Sequence, residues 1–137
     1  MTVILGNHAA VVAARAERER IRGFYRDVLG CIVRAQGDAV DRMQLGDMHF
    51  CFVWQDSALG PDDFARATFL ELKTDRVEAM ARRILAFGVR KLDVPDPHLY
   101  FQAPGGQVFR LVGIDEDLSV YEESTSTMPA SARAGAA

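Results

Sequence analysis

Residues 97–113 read PHLYFQAPGGQVFRLVG. Two runs rich in aromatic and branched residues flank Ala103-Pro104-Gly105-Gly106. This pattern predicts a strand, a tight turn and a returning strand. Pro104 presets φ at the start of the turn, and the paired glycines allow positive φ after it. Counting outward by twos places His98, Tyr100 and Arg110 on one face of the hairpin. An imidazole, a phenol and a guanidinium are costly to bury unless they line a cavity or pair fully.

Working back from the hairpin, the chain repeats itself. Residues 2–5 and 9–13 predict a strand region with His8 near its middle. A helix over residues 15–29 follows, with Ile21, Phe24, Tyr25, Val28 and Leu29 on its apolar side. Gly30 stops it. Strands are expected at residues 31–35, 40–45 and 48–54, the last two joined by the Gly46-Asp47 turn. On the last strand His49, Cys51 and Val53 share one face. Met48, Phe50, Phe52 and Trp54 share the other, and Trp54 is expected in the core or at an interface.

Residues 58–66 are expected to be a linker, broken by Gly60-Pro61. The order then recurs: a strand at residues 67–73, a helix capped by Asp75 with Glu78 as its capping-box partner, a strand at residues 89–92, and the hairpin. That helix is expected to bury Val77, Met80, Ala81, Ile84 and Leu85. The expected organisation is thus a first β-α-β-β-β module over 1–57, a second over 67–115, and a disordered tail over 116–137. The offset between modules sets His8 against Ala67 and His49 against Arg110. Two such half-sheets, each with one face under a helix, leave concave faces for a small-molecule cleft.

Bulk properties narrow the function. The formal charge is −3 with the signs interspersed, so neither a nucleic-acid surface nor an anionic membrane surface is expected. No apolar run approaches a membrane span, and the N-terminus lacks the basic start of a secretory signal. Cys31 and Cys51 sit in apolar contexts without a CxxC motif, and are expected as buried, inert thiols in a reducing cytoplasm. No nucleophilic triad is visible, because every serine lies outside the patterned strands. There is no phosphate loop and no dinucleotide fingerprint.

The order His8, Phe24-Tyr25-Arg26-Asp27-Val28-Leu29-Gly30, Leu45-Gly46-Asp47, Ala86-Phe87-Gly88-Val89, Tyr100-Phe101-Gln102-Ala103-Pro104-Gly105-Gly106 resembles the vicinal oxygen chelate superfamily. That group includes glyoxalase I, extradiol dioxygenases, and fosfomycin- and bleomycin-resistance proteins. The resemblance covers residues 4–114. It implies an α+β fold of paired β-α-β-β-β modules in a cupped mixed sheet around a cleft, usually in a homodimer. It further implies metal-ligand positions on the first and last strand of each module, which here read His8, His49, Ala67 and Arg110. Alanine cannot ligate and arginine is a fixed cation, so no catalytic metal is favoured.

The candidate ligand-binding residues are therefore His8, His49, His98, Tyr100 and Arg110. Each has a plainer alternative. The histidines can bond backbone carbonyls, Tyr100 can be sheet core, and Arg110 can pair with a carboxylate across the sheet instead of clamping an anion. The expected function is a glyoxalase-like or bleomycin-resistance-like protein that binds a small anionic or aromatic molecule in a dimeric cleft. The alternative is a lyase, isomerase or dioxygenase of the same superfamily, with Fe, Mn, Ni or Zn on His8 and His49. A third reading is a structural or regulatory dimer with a filled cleft.

Overall fold

The computed structural model describes residues 1–2 and 4–123. The chain forms two compact units, Met1–Leu59 and Gly60–Ala137, each built on one four-stranded mixed sheet.

In the first unit the strands are β1 (His8–Ala14), β2 (Ile32–Gln36), β3 (Val40–Leu45) and β4 (Met48–Gln55), in the order β1-β4-β3-β2. β1 runs parallel to β4 and the other pairs are antiparallel. The strand expected at residues 2–5 is absent at Thr2, Ile4 and Leu5, and residue 3 lies outside the described residues. The β1–β4 ladder begins at His8 and does not reach that stretch.

The expected first helix is three helical pieces in succession: a 3-10 turn (Arg15–Glu17), α1 (Arg18–Gly23) and a π-helical stretch (Phe24–Val28). The wider π turn suits the adjacent aromatics, and both Phe24 and Tyr25 are fully buried. Tyr25 packs on Phe52 at 4.6 Å between ring centroids and on Phe50 at 5.8 Å. Gly30 takes φ +80°, and the Cys31 N–H closes back on the Tyr25 carbonyl at 2.9 Å.

Phe50, Phe52 and Trp54 are the buried positions of β4, as the period of two requires. Among them lies Asp41, which has no exposed surface. Its carboxylate accepts from Arg22 Nε at 2.6 Å and Nη2 at 2.9 Å, from the Gly37 N–H at 3.2 Å and from Trp54 Nε1 at 3.2 Å. Burial alone would raise the Asp41 pKa; these donors outweigh it and hold the pKa below its ordinary value.

In the second unit the strands are β5 (Phe69–Thr74), β6 (Arg90–Leu92), β7 (Leu99–Gln102) and β8 (Val108–Gly113), in the order β5-β8-β7-β6. β5 and β8 are parallel, the rest antiparallel. The turn before β8 forms as its sequence predicts, with Gly105 at φ +89° and Gly106 at φ +113°. Ala67 precedes β5 and takes no place in the sheet; Glu71 is the residue paired with Arg110.

Helix α3 (Val77–Ala86) buries Ile84 fully, whereas Val77 and Leu85 are exposed. The expected Asp75 capping box is replaced by Thr74, whose hydroxyl accepts the Arg76 N–H at 3.1 Å. The hydroxyl one residue earlier satisfies the orphan donor.

The stretch 58–66 is not a bare linker. It contains α2 (Pro61–Ala65), with Pro61 in the first turn, where a missing N–H removes no helical bond. A Cβ on Gly106 would stand 2.8 Å from the Phe64 ring, so α2 sits directly against the hairpin turn. Gln102 Nε2 bonds the Pro61 carbonyl at 2.7 Å and the Gly106 carbonyl at 3.0 Å. The first part of the expected disordered tail is also structured, ending in α4 (Val120–Glu123). Its remainder, 124–137, lies outside the described residues.

Removing one partner of a buried ion pair typically costs about 3–5 kcal/mol. Asp41→Ala should therefore destabilise the first unit by about that amount, read as a lowered urea midpoint at unchanged slope.

Candidate functional site

The helix covers one face of the first sheet and leaves the other open. His8 and His49 are ladder partners on β1 and β4, and their rings stack at 4.8 Å between centroids with a 12° interplanar angle. The backbone holds this pair in place, because the His49 N–H donates to the Asn7 carbonyl at 2.8 Å. Next along the ladder, Cys51 lies between Ala10 and Arg42. A cavity of about 400 Å³ opens here, lined by His8, Ala10, Arg34, Arg42, His49 and Cys51 among others.

Charge on this face is one-sided. Arg34 is steadied by the side-chain carbonyl of Gln44, 2.9 Å from its Nε. Gln44 is fixed in turn on the Gly46 carbonyl at 2.9 Å. No hydrogen bond or ion pair engages the Arg42 side chain among the described residues. The outward positions of β1, β3 and β4 include no aspartate or glutamate. The chemistry on offer is forked cationic donors, a flat imidazole wall and a thiol.

His98, Tyr100 and Arg110 come together in the second unit, as the alternation predicts. Tyr100 and Arg110 are cross-strand partners, and Arg110 Nη1 donates to the Tyr100 hydroxyl at 3.3 Å. Arg110 Nη2 donates to Glu71 at 2.6 Å, so this guanidinium already holds a carboxylate. Burial is the main cause that raises the Tyr100 pKa.

His98 has a carboxylate at each ring nitrogen: Asp96 at Nδ1, 2.6 Å away, and Glu116 at Nε2. Ionised carboxylates only accept, so this setting favours a proton on both nitrogens, the imidazolium form. Burial opposes that charge, but the bonds to Glu116 and Asp96 prevail and raise the His98 pKa. The Glu116 pKa is lowered by His98 first and by the Gly113 N–H second. Burial would raise the Asp96 pKa, but the Tyr121 hydroxyl and His98 together lower it.

Sequence patterning missed several of these groups. Asp96 lies in a loop and Glu116 and Tyr121 in the segment read as tail, where no period marks them. Arg34, Arg42 and Cys51 were within reach: the alternation that set His49 outward sets Cys51 outward too. The expectation of two buried thiols holds for Cys31, whose pKa burial pushes up to about 11, but Cys51 lines the open cavity.

Of the four metal positions implied by the resemblance, His8 and His49 face each other on the first sheet, and Arg110 lies opposite Glu71 on the second. Ala67 has no donor, and Arg110 is a cation paired to Glu71. Among the described residues no three His, Cys, Asp or Glu side chains converge as metal ligands. No helix there is long and apolar enough to cross a membrane.

No family model matches the sequence, and no curated protein does. Solved structures do resemble the fold. A fosfomycin resistance protein, FosX, from Listeria monocytogenes, complexed with Mn(II) and a dihydroxypropylphosphonic acid, aligns with a TM-score of 0.68 at 13% identity, covering 89% of this chain and 98% of its own. A glyoxalase family protein from Bacillus anthracis aligns at 0.64 and 15%, covering 82% and 98%. TnmS3, an antibiotic binding protein from Streptomyces sp. CB03234, aligns at 0.58 and 20%, covering 82% and 98%.

The Asp96–His98–Glu116 cluster has a defined pH window. A raised histidine pKa contributes stability that is complete below the ordinary value of about 6.5 and lost as pH rises through the folded value. Lowered carboxylate pKa values contribute above about 4.5 and are lost as pH falls through their folded values. The melting-temperature gap between the natural chain and His98→Gln should be widest between those limits and narrow on both sides; a flat gap contradicts the charged cluster.

Proposed function

We propose that this chain, whose fold is that of the vicinal oxygen chelate superfamily, binds a small anion with a flat unsaturated face on the open side of its first sheet, and does so without a metal ion. One observation supports this above all. The cavity is lined by two arginines, two stacked imidazoles and a thiol, on a strand face with no carboxylate. Arg42, unengaged, has the fork geometry that suits a carboxylate or phosphonate. The His8–His49 stack offers a planar ligand a surface to lie on.

The solved structures of similar fold support the small-molecule part of this reading, although FosX holds its ligand beside Mn(II). The FosX structure contains a phosphonic acid, and TnmS3 is an antibiotic binding protein. Both are small-molecule proteins of this fold. A reducing cytoplasm is the proposed setting, since Cys31 and Cys51 are both free thiols. A homodimer is proposed from the exposed Val12 and Ile32 on the open face, and sedimentation should return twice the chain mass.

Cys51 provides a probe that needs no known ligand. Iodoacetate is an anion and iodoacetamide is its neutral analogue. The ratio of their alkylation rates at Cys51, read by mass spectrometry, should exceed the ratio at a free small thiol by about tenfold, a little over 1 kcal/mol of local attraction. The pair Arg34→Gln and Arg42→Gln should bring it down to the small-thiol value. A ratio no higher than that of the small thiol in the natural chain overturns the anion-binding role of this face.

A further inference from the structure

A second site lies on the other sheet, and the chain fills it itself. The Arg110 guanidinium stands 4.4 Å from the centre of the Tyr121 ring. The Tyr121 hydroxyl donates to Asp96 Oδ2 at 2.6 Å and lies 3.2 Å from His98 Nδ1. A cation over the ring face and a carboxylate at the hydroxyl are the two contacts that recognise a phenol.

The receiving groups are held without Tyr121. Arg110 is fixed by Glu71 and Tyr100, with Phe69 on a further side at 5.2 Å. Asp96 is fixed by the His98 N–H at 2.9 Å, in addition to the imidazole. Arg110 Nε is buried with no partner among the described residues.

The occupant is the weaker partner. α4 is four residues long, far below the length of about 12–15 at which an isolated helix is stable. The Tyr121 and Glu122 N–H groups bond only within the segment, to Leu118 and Ser119. Apart from Tyr121, Glu116 ties this segment to the body of the unit, bonding His98 and accepting the Gly113 N–H of β8 at 3.0 Å. A preformed receptor with a marginal occupant is an equilibrium that a free ligand can enter by competition.

We propose that the Arg110–Asp96–His98 pocket of the second sheet is a recognition site for phenolic compounds, which Tyr121 occupies in cis. A free phenol binds where Tyr121 lies, with its hydroxyl on Asp96 and its ring under Arg110, and α4 swings out. This site does not depend on the anion-binding role of the first sheet.

The test uses the full chain and p-fluorophenol, followed by fluorine NMR. Tyr121→Ala should bind the probe at least about tenfold more tightly than the natural chain, because the competing ring is gone. Adding Asp96→Asn should weaken that binding about tenfold, and p-fluorotoluene, which lacks the hydroxyl, should bind no better than to the double variant. Tyr121→Phe keeps the ring and loses the bond to Asp96, so it should bind more tightly than the natural chain and more weakly than Tyr121→Ala. Should Tyr121→Ala not fold, Tyr121→Phe decides alone. Equal binding by the natural chain and the folded variants overturns the proposal. So does p-fluorotoluene binding as tightly as p-fluorophenol.

Discussion

A buried carboxylate sets the terms for the first unit. Asp41 sits among aromatic rings with no water access, and such a charge is tolerable only when its lone pairs are all met. Arg22 from α1, the Gly37 backbone and the Trp54 indole meet them. These bonds fix helix to sheet and β3 to β4 in one register. They also determine the electrostatics of the other side. Asp41 lies on the helix-covered face and Arg22 neutralises it there, so it offers nothing to Arg42 one residue along the strand. The open face is cationic because its nearest acid is turned the other way.

The two sheets place opposite chemistries on the pairing of first strand with last. In each, the first strand runs parallel to the last, and a residue of one pairs with a residue of the other. In the first sheet that pair is His8 and His49; in the second it is Glu71 and Arg110. Stacked imidazoles leave a surface on which something else can lie. An ion pair satisfies itself, and Tyr100 and Tyr121 then close around it. Duplicated topology has produced one face that presents its groups and one that consumes them.

Much of the fold was legible because period and punctuation agreed. The hairpin at residues 97–113, the alternation in β4 and the stop at Gly30 all follow from local chemistry. The failures have specific causes. Gly60-Pro61 reads as a break, but at a helix start the missing N–H of Pro61 removes nothing. A constant offset between the repeats sets Ala67 against His8, but Ala67 lies before β5, and the β5 residue opposite Arg110 is Glu71. Of the site, facing could be read but pairing could not. Alternation put His98, Tyr100 and Arg110 on one side; it carried no information about Glu71, Asp96, Glu116 or Tyr121, which arrive from a neighbouring strand, a loop and a segment without period.

The parallel pairing of β1 with β4 has a consequence for how the protein forms. β2, β3 and β4 are joined by short turns and can zip locally, whereas β1 must return across the whole unit; the Asn7–Asp47 bond that secures its start spans forty residues. Closing that loop is the entropically expensive step, so long-range pairing of this kind is slow beside local hairpins. The His8–His49 stack is therefore among the last native contacts to assemble as the chain matures. A nascent chain that has made its helix and its hairpins still has an unpaired edge at β4, and the same docking event that hides this edge from other chains completes the cavity wall.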